Sequence, residues 1–102
     1  MESLNREPRP AGGTTPVVLV TGAARRLGRA LVEALAARGA AVALHYHRSR
    51  DEAHALAEAI RPRAAGVWLF RADLSDPDEQ QRLADEVLAA CPGLNGLVHN
   101  AS

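Results

Sequence analysis

There is no lysine anywhere in these 102 residues; all twelve basic side chains are arginine. Any step that needs an ammonium group finds none here. Cys91 is the sole cysteine, which excludes an intrachain disulfide and a cysteine zinc cluster. It reads as a small residue near a helix C-terminus. Aromatics are equally scarce, with one Trp, one Tyr and one Phe. No apolar run approaches the ~20 residues of a membrane span. The first sixteen residues, MESLNREPRPAGGTTP, lack the apolar core of a signal peptide. We read residues 1–16 as a flexible N-terminal arm and expect a cytoplasmic chain. A formal net charge of zero speaks against a general nucleic-acid or acidic-membrane partner.

What is present is an apolar fraction of 47% in a chain long enough for one domain, over residues 17–102. Strand and helix signals alternate. Strands are expected at Val17–Thr21, Ala41–Tyr46, Gly66–Arg71 and Leu94–His99. Helices are expected from about Arg25 to Arg38, from the Ser49-Arg50-Asp51-Glu52 capping-box spacing to Pro62, and from Asp76-Pro77 to Pro92. Gly39 reads as a C-terminal stop. The strand runs are short and continuously apolar, as in a parallel sheet covered on both faces. The fold class is therefore α/β, β-α-β-α-β-α-β, a partial doubly wound parallel sheet of the Rossmann type. Right-handed crossovers give strand order 3-2-1-4.

The run Val17 to Gly28, VVLVTGAARRLG, joins a buried strand to a glycine turn and a helix start. That geometry receives a dinucleotide pyrophosphate. The second and third helices carry acids in their first turns, as the helix dipole favours. The first carries Arg25, Arg26 and Arg29 instead, where the dipole disfavours cations by about 0.3–1 kcal/mol each. An anion near Arg25 and Arg26 would account for this; a merely solvated arginine face is the plainer alternative, weightiest for Arg29. The general fingerprint G-x-G-x-x-G fails, because Ala24 and Leu27 stand where its second and third glycines belong.

What stands instead is T-G-x-x-x-R-x-G, from Thr21, Gly22, Arg26 and Gly28. This resembles the short-chain dehydrogenase/reductase family, whose usual pattern is T-G-x-x-x-G-x-G. Arg26 in place of the middle glycine is similar to the pteridine reductase branch. The resemblance implies that Arg26 lies beside the cofactor pyrophosphate and a pterin substrate. The end of the second strand has no acid for a ribose 2′-hydroxyl; it reads His45-Tyr46-His47-Arg48-Ser49. Cationic and donor groups there suit a 2′-phosphate, hence NADPH; that His45 and His47 are ordinary strand-end residues is the plainer alternative, weightiest for His45. The same string matches the pteridine reductase branch. The resemblance further implies that Asp73 accepts from the adenine amino group, with the Leu74 backbone assisting, against the plainer role of a loop acid. It also implies that Asn100, Ala101 and Ser102 border the nicotinamide, with His99 replacing a family asparagine.

The family transfers hydride with a tyrosine proton donor and a lysine four residues on. Here the only tyrosine is Tyr46, followed four residues later by Arg50. The expectation is the NADPH-binding N-terminal part of a short-chain reductase, a fragment or truncated product, inactive alone and without catalytic residues of its own. Its substrate would be a small molecule, a pterin or dihydrofolate; a carbonyl-reducing enzyme and a non-catalytic NADPH module are the alternatives. The full-length protein would be a homo-oligomer, as family members commonly are.

Overall fold

The computed structural model describes residues 15–100. Four strands and three helices alternate: β1 (Val17–Thr21), α1 (Arg26–Ala37), β2 (Ala41–Tyr46), α2 (Arg50–Ile60), β3 (Gly66–Arg71), α3 (Pro77–Ala90) and β4 (Gly96–His99). All pairings are parallel, in the order β3-β2-β1-β4. The expected strand order and connectivity are thus observed.

Alternation along the strands assigns side chains to two faces. Val18, Val20, Val42 and Leu44 pack against Val32 and Ala36 of α1 and Leu56 and Ile60 of α2. Leu19, Ala43 and Phe70 point the other way, against Leu83 and Val87 of α3 and against Cys91. The central strand β2 is buried throughout. Burial also raises the pKa of the Cys91 thiol, in keeping with a packing role.

Two helix ends follow the chemistry of their caps. Asp76 accepts from the Asp78 N–H at 2.9 Å, and Pro77 opens α3. Gly39, at φ 80, follows α1 in the left-handed conformation that glycine tolerates. The capping box expected at Ser49 does not form. Ser49 has ψ 56, off the extended conformation of a capping residue, and makes no side-chain cap bond.

β4 begins two residues later than expected. The Leu94 N–H turns back to the Cys91 carbonyl, while Asn95 bonds Val17 through both its N–H and its Oδ1. The boundary at residue 16 is also softer than a free arm implies, since the Pro16 carbonyl accepts from Ala41 N–H at 2.9 Å. The rest of the expected arm, residues 1–14, lies outside the described residues. No helix among the described residues is long and apolar enough to cross a membrane.

Candidate functional site

A doubly wound sheet binds ligands at the C-terminal strand ends, where the strand order reverses. Here that point lies between β1 and β4, whose last pair is Thr21 and His99. A cleft of about 530 Å³ opens there, within the range of about 300–1,000 Å³ usual for small-molecule sites. Its lining comes from the β1–α1 turn (Gly22, Ala24, Arg25, Arg26, Leu27), the end of β2 (His45, Tyr46, His47), Ser49 and Asn100.

The turn owes its shape to three glycine-related constraints. Gly22 has φ 62, a conformation that side chains disfavour. Gly28 packs so close to the turn that an added Cβ would run into the Gly22 carbonyl oxygen and lie 2.7 Å from Asn100 Nδ2. Arg26 has φ 55, the only positive φ among the described non-glycine residues. That explains why glycine is the usual residue in the family pattern here, and why an arginine at this place is strained.

Polar bonds fix the turn from both neighbouring strands. Asn100 donates its backbone N–H to Thr21 Oγ1 at 2.9 Å and its Nδ2 amide to the Gly22 carbonyl at 3.2 Å. Thr21 Oγ1 also lies 3.0 Å from His99 Nδ1. His99 was visible in the sequence only as a replaced asparagine. Its contact follows from register, since Thr21 and His99 are partners at adjacent strand ends.

Helix α1 starts at this cleft with no side-chain cap and no acid in its first turn. Arg25 and Arg26 are exposed around it. By contrast, α2 opens with Asp51 and Glu52, and α3 with Asp78 and Glu79. Uncapped N–H groups and two guanidinium groups together form the kind of rim that can accept an anion. Arg29 points elsewhere, forming a surface pair with Glu33 at 3.3 Å.

The end of β2 separates into residues with different tasks. Tyr46 is buried against Ala24 and Ala53, with its ring edge-on to His54 at 6.2 Å. His47 and Ser49 are half-buried in the cleft wall, while Arg48 is exposed and outside the lining. His45 requires a correction to the expectation of a phosphate donor. Both its ring nitrogens are engaged by the backbone, one by the Gly22 N–H and one by the Ala72 carbonyl.

Asp73 lies just beyond the lining. Its Oδ1 accepts from the hydroxyl of Ser75 at 2.7 Å and its N–H at 3.0 Å, which together hold the carboxyl below the usual range. Its Oδ2 sits 3.9 Å from His47 Nε2. Leu74 packs towards the α3 side of the core rather than into the cleft. Ala101 and Ser102, expected at the nicotinamide, lie outside the described residues. Among those described, no group of three or more His, Cys, Asp or Glu could hold a metal ion.

The model of the short chain dehydrogenase family matches residues 16–102. Over 87 residues the chain is 36% identical to a 3-oxoacyl-[acyl-carrier-protein] reductase of Staphylococcus aureus, covering 85% of this chain and 35% of that protein. It is 50% identical over 64 residues to pteridine reductase 1 of Leishmania tarentolae, covering 62% of this chain and 22% of that one. The crystal structure of FolM alternative dihydrofolate reductase 1 from Brucella canis, complexed with NADP, superposes with a TM-score of 0.76. That match has 39% identity and covers 85% of this chain and 35% of the other. The chain therefore spans about a third of the length of the first of these relatives. With the parallel sheet, the glycine turn and a match over nearly its whole length, the chain belongs to the short chain dehydrogenase family.

Proposed function

We propose that this chain is the NADPH-binding portion of a short-chain reductase of the pteridine reductase type. The observation that carries the reading is the cleft. A left-handed glycine turn, an uncapped cationic helix start and an acid-free β2 end converge on it. These residues fit a dinucleotide. The α1 N–H groups, Arg25 and Arg26 suit the pyrophosphate. His47, Ser49 and the exposed Arg48 beside them suit a 2′-phosphate. Asp73 Oδ2, which Ser75 does not occupy and which lies 3.9 Å from His47, suits an amino group, and Asn100 holds the turn at the nicotinamide end. The bound cofactor would supply a hydride to an unsaturated bond of a pterin or dihydrofolate.

Two relatives named for reduction of pteridine and dihydrofolate support that substrate class. Arg26, on the cleft rim, is one residue of this chain that would meet the substrate; Ser102, which the resemblance also puts there, lies outside the described residues. A second reading, reduction of a carbonyl, has the support of the 3-oxoacyl reductase relative. No tyrosine–lysine pair occurs in these residues, and Tyr46 is only 8% exposed. The chain by itself would therefore bind nucleotide without turnover, which is also how a non-catalytic module would behave.

Nucleotide titration of the 102-residue chain tests this reading. NADPH should bind at least about tenfold more tightly than NADH, the effect of one or more charge-assisted hydrogen bonds. Arg48→Ala should abolish most of that preference. Equal losses for the two nucleotides would remove the 2′-phosphate assignment, and NADPH-dependent reduction of dihydropterin by the chain alone would overturn its inactivity. A dihydropterin that adds to the thermal protection given by NADPH supports the pterin reading. If only a 3-oxoacyl thioester does so, the carbonyl reading stands instead.

A further inference from the structure

His45 ends β2 beneath the cleft, only 2% exposed. Its Nδ1 lies 3.1 Å from the Gly22 nitrogen, and its Nε2 lies 2.9 Å from the Ala72 carbonyl oxygen. A backbone N–H can only donate and a carbonyl can only accept. The two partners therefore require one form of the ring: neutral, protonated on Nε2, bare on Nδ1. No ring donor is left for a phosphate. The backbone of the same residue acts in concert, its carbonyl accepting from the Ala23 N–H at 2.9 Å.

We infer that His45 is a positioning residue whose neutral ring ties the β1 glycine turn to the end of β3, and whose protonation releases that turn. The inference rests on the nucleotide reading of the cleft and deepens it, because nucleotide affinity then depends on a proton. A proton on Nδ1 sets a donor against the Gly22 N–H and removes its acceptor. The turn would keep the Ala23 N–H bond to the His45 carbonyl and the Asn100 bond to the Gly22 carbonyl, but the Gly22 N–H would lose its side-chain acceptor.

The surroundings favour the neutral ring. Burial disfavours its charged form and lowers its pKa, and His47 at the same strand end and His99 on β4 act in the same direction. The Ala72 carbonyl opposes them. Arg25 and Arg26 reach the same cleft from α1, and the Asp73 carboxylate beyond β3 is turned to Ser75 and His47. Because the native pKa lies below the ordinary 6.5, the bridge contributes fully above that pH. The contribution is lost as pH falls through the native value.

The test uses the whole chain labelled with ¹⁵N. At neutral pH the His45 ring should show a protonated Nε2 and a bare Nδ1. On acidification the Gly22 amide resonance should move with the ring, at a midpoint below 6.5. In His45→Asn a side-chain amide oxygen can replace Nδ1 as acceptor without titrating, so Gly22 should stay fixed over that range. The ratio of NADPH dissociation constants, wild type over H45N, should rise about three- to tenfold as the pH is lowered from about 7.5 through the midpoint that the Gly22 amide reports, the effect of one hydrogen bond. Proton uptake by the nucleotide phosphate is common to both proteins and cancels in the ratio. The opposite tautomer, or a Gly22 amide indifferent to the ring, overturns the inference. Absence of NADPH binding while Gly22 still follows the ring supports the bridge and overturns the nucleotide reading instead.

Discussion

Arg26 shows how a single residue can carry both a cost and a function. Its φ of 55 places an L side chain in the left-handed region, which costs about 1–2 kcal/mol. The residue also lines the cleft, where its charge would meet the anion proposed above. Such strain persists when surrounding structure over-determines it; here Gly28 and Asn100 lock the turn. Arg26→Gly should therefore raise the unfolding free energy by up to about 1 kcal/mol after glycine's own entropic cost, seen as a higher urea midpoint, while weakening NADPH binding. A lowered midpoint would contradict the strain, and unchanged affinity would remove Arg26 from the site. The arginine itself was legible in T-G-x-x-x-R-x-G, because a charge in a glycine position breaks a pattern. Its backbone conformation was not, because φ depends on what packs around the turn.

Among the elements, the three helix starts form a contrast within one chain. Those of α2 and α3 carry acids in their first turns and that of α1 carries none. The sequence showed this directly, since first-turn charge needs only the helix boundary. Caps were less legible. The Asp76 cap forms and the Ser49 cap does not; spacing names a possible acceptor, but the backbone angles entering the helix decide whether it is aimed. Glu79, three residues after Asp76, likewise does not close a capping box. It pairs with Arg82 at 2.8 Å and accepts from the Asp73 N–H at 3.3 Å. Asp76→Ala should cost about 1 kcal/mol of unfolding free energy, read from denaturant midpoints. Ser49→Ala should cost distinctly less, because no cap bond is lost.

For the molecule as a whole, the sheet joins two thin apolar layers. Leu44 is fully buried between β1, β3 and the α1/α2 layer. Leu44→Ala should cost about 2–5 kcal/mol, a large share of the few kcal/mol available to a domain of this size. NADPH binds only the folded chain in this reading, so about a hundredfold excess over its dissociation constant should restore about 2.7 kcal/mol. Thermal unfolding with and without NADPH measures both effects; an equal lack of protection in wild type and mutant would show that the cleft does not take the nucleotide. Leu88 and Leu97 stay 62% and 64% exposed, the latter on the edge strand β4. They are the sites on the α3 side where further apolar cover would add to stability.

The sequence by itself determined the alternation of strands and helices, the strand order and the charge reversal at α1. These follow from local periodicity and the handedness of the chain. It also marked Gly22, Arg26 and the acid-free stretch from His45 to Ser49, because composition at a strand end restricts the anion it can accept. Only the tertiary structure decided what each polar group does there. His45 reads as a donor along the chain, yet folding places it between the N–H of Gly22 and the carbonyl of Ala72. His99 finds Thr21, and Asn100 finds Gly22, across 78 residues. A hydrogen bond needs its partner within about 3 Å along a defined direction, and only the closed sheet brings residues so distant in sequence into that position.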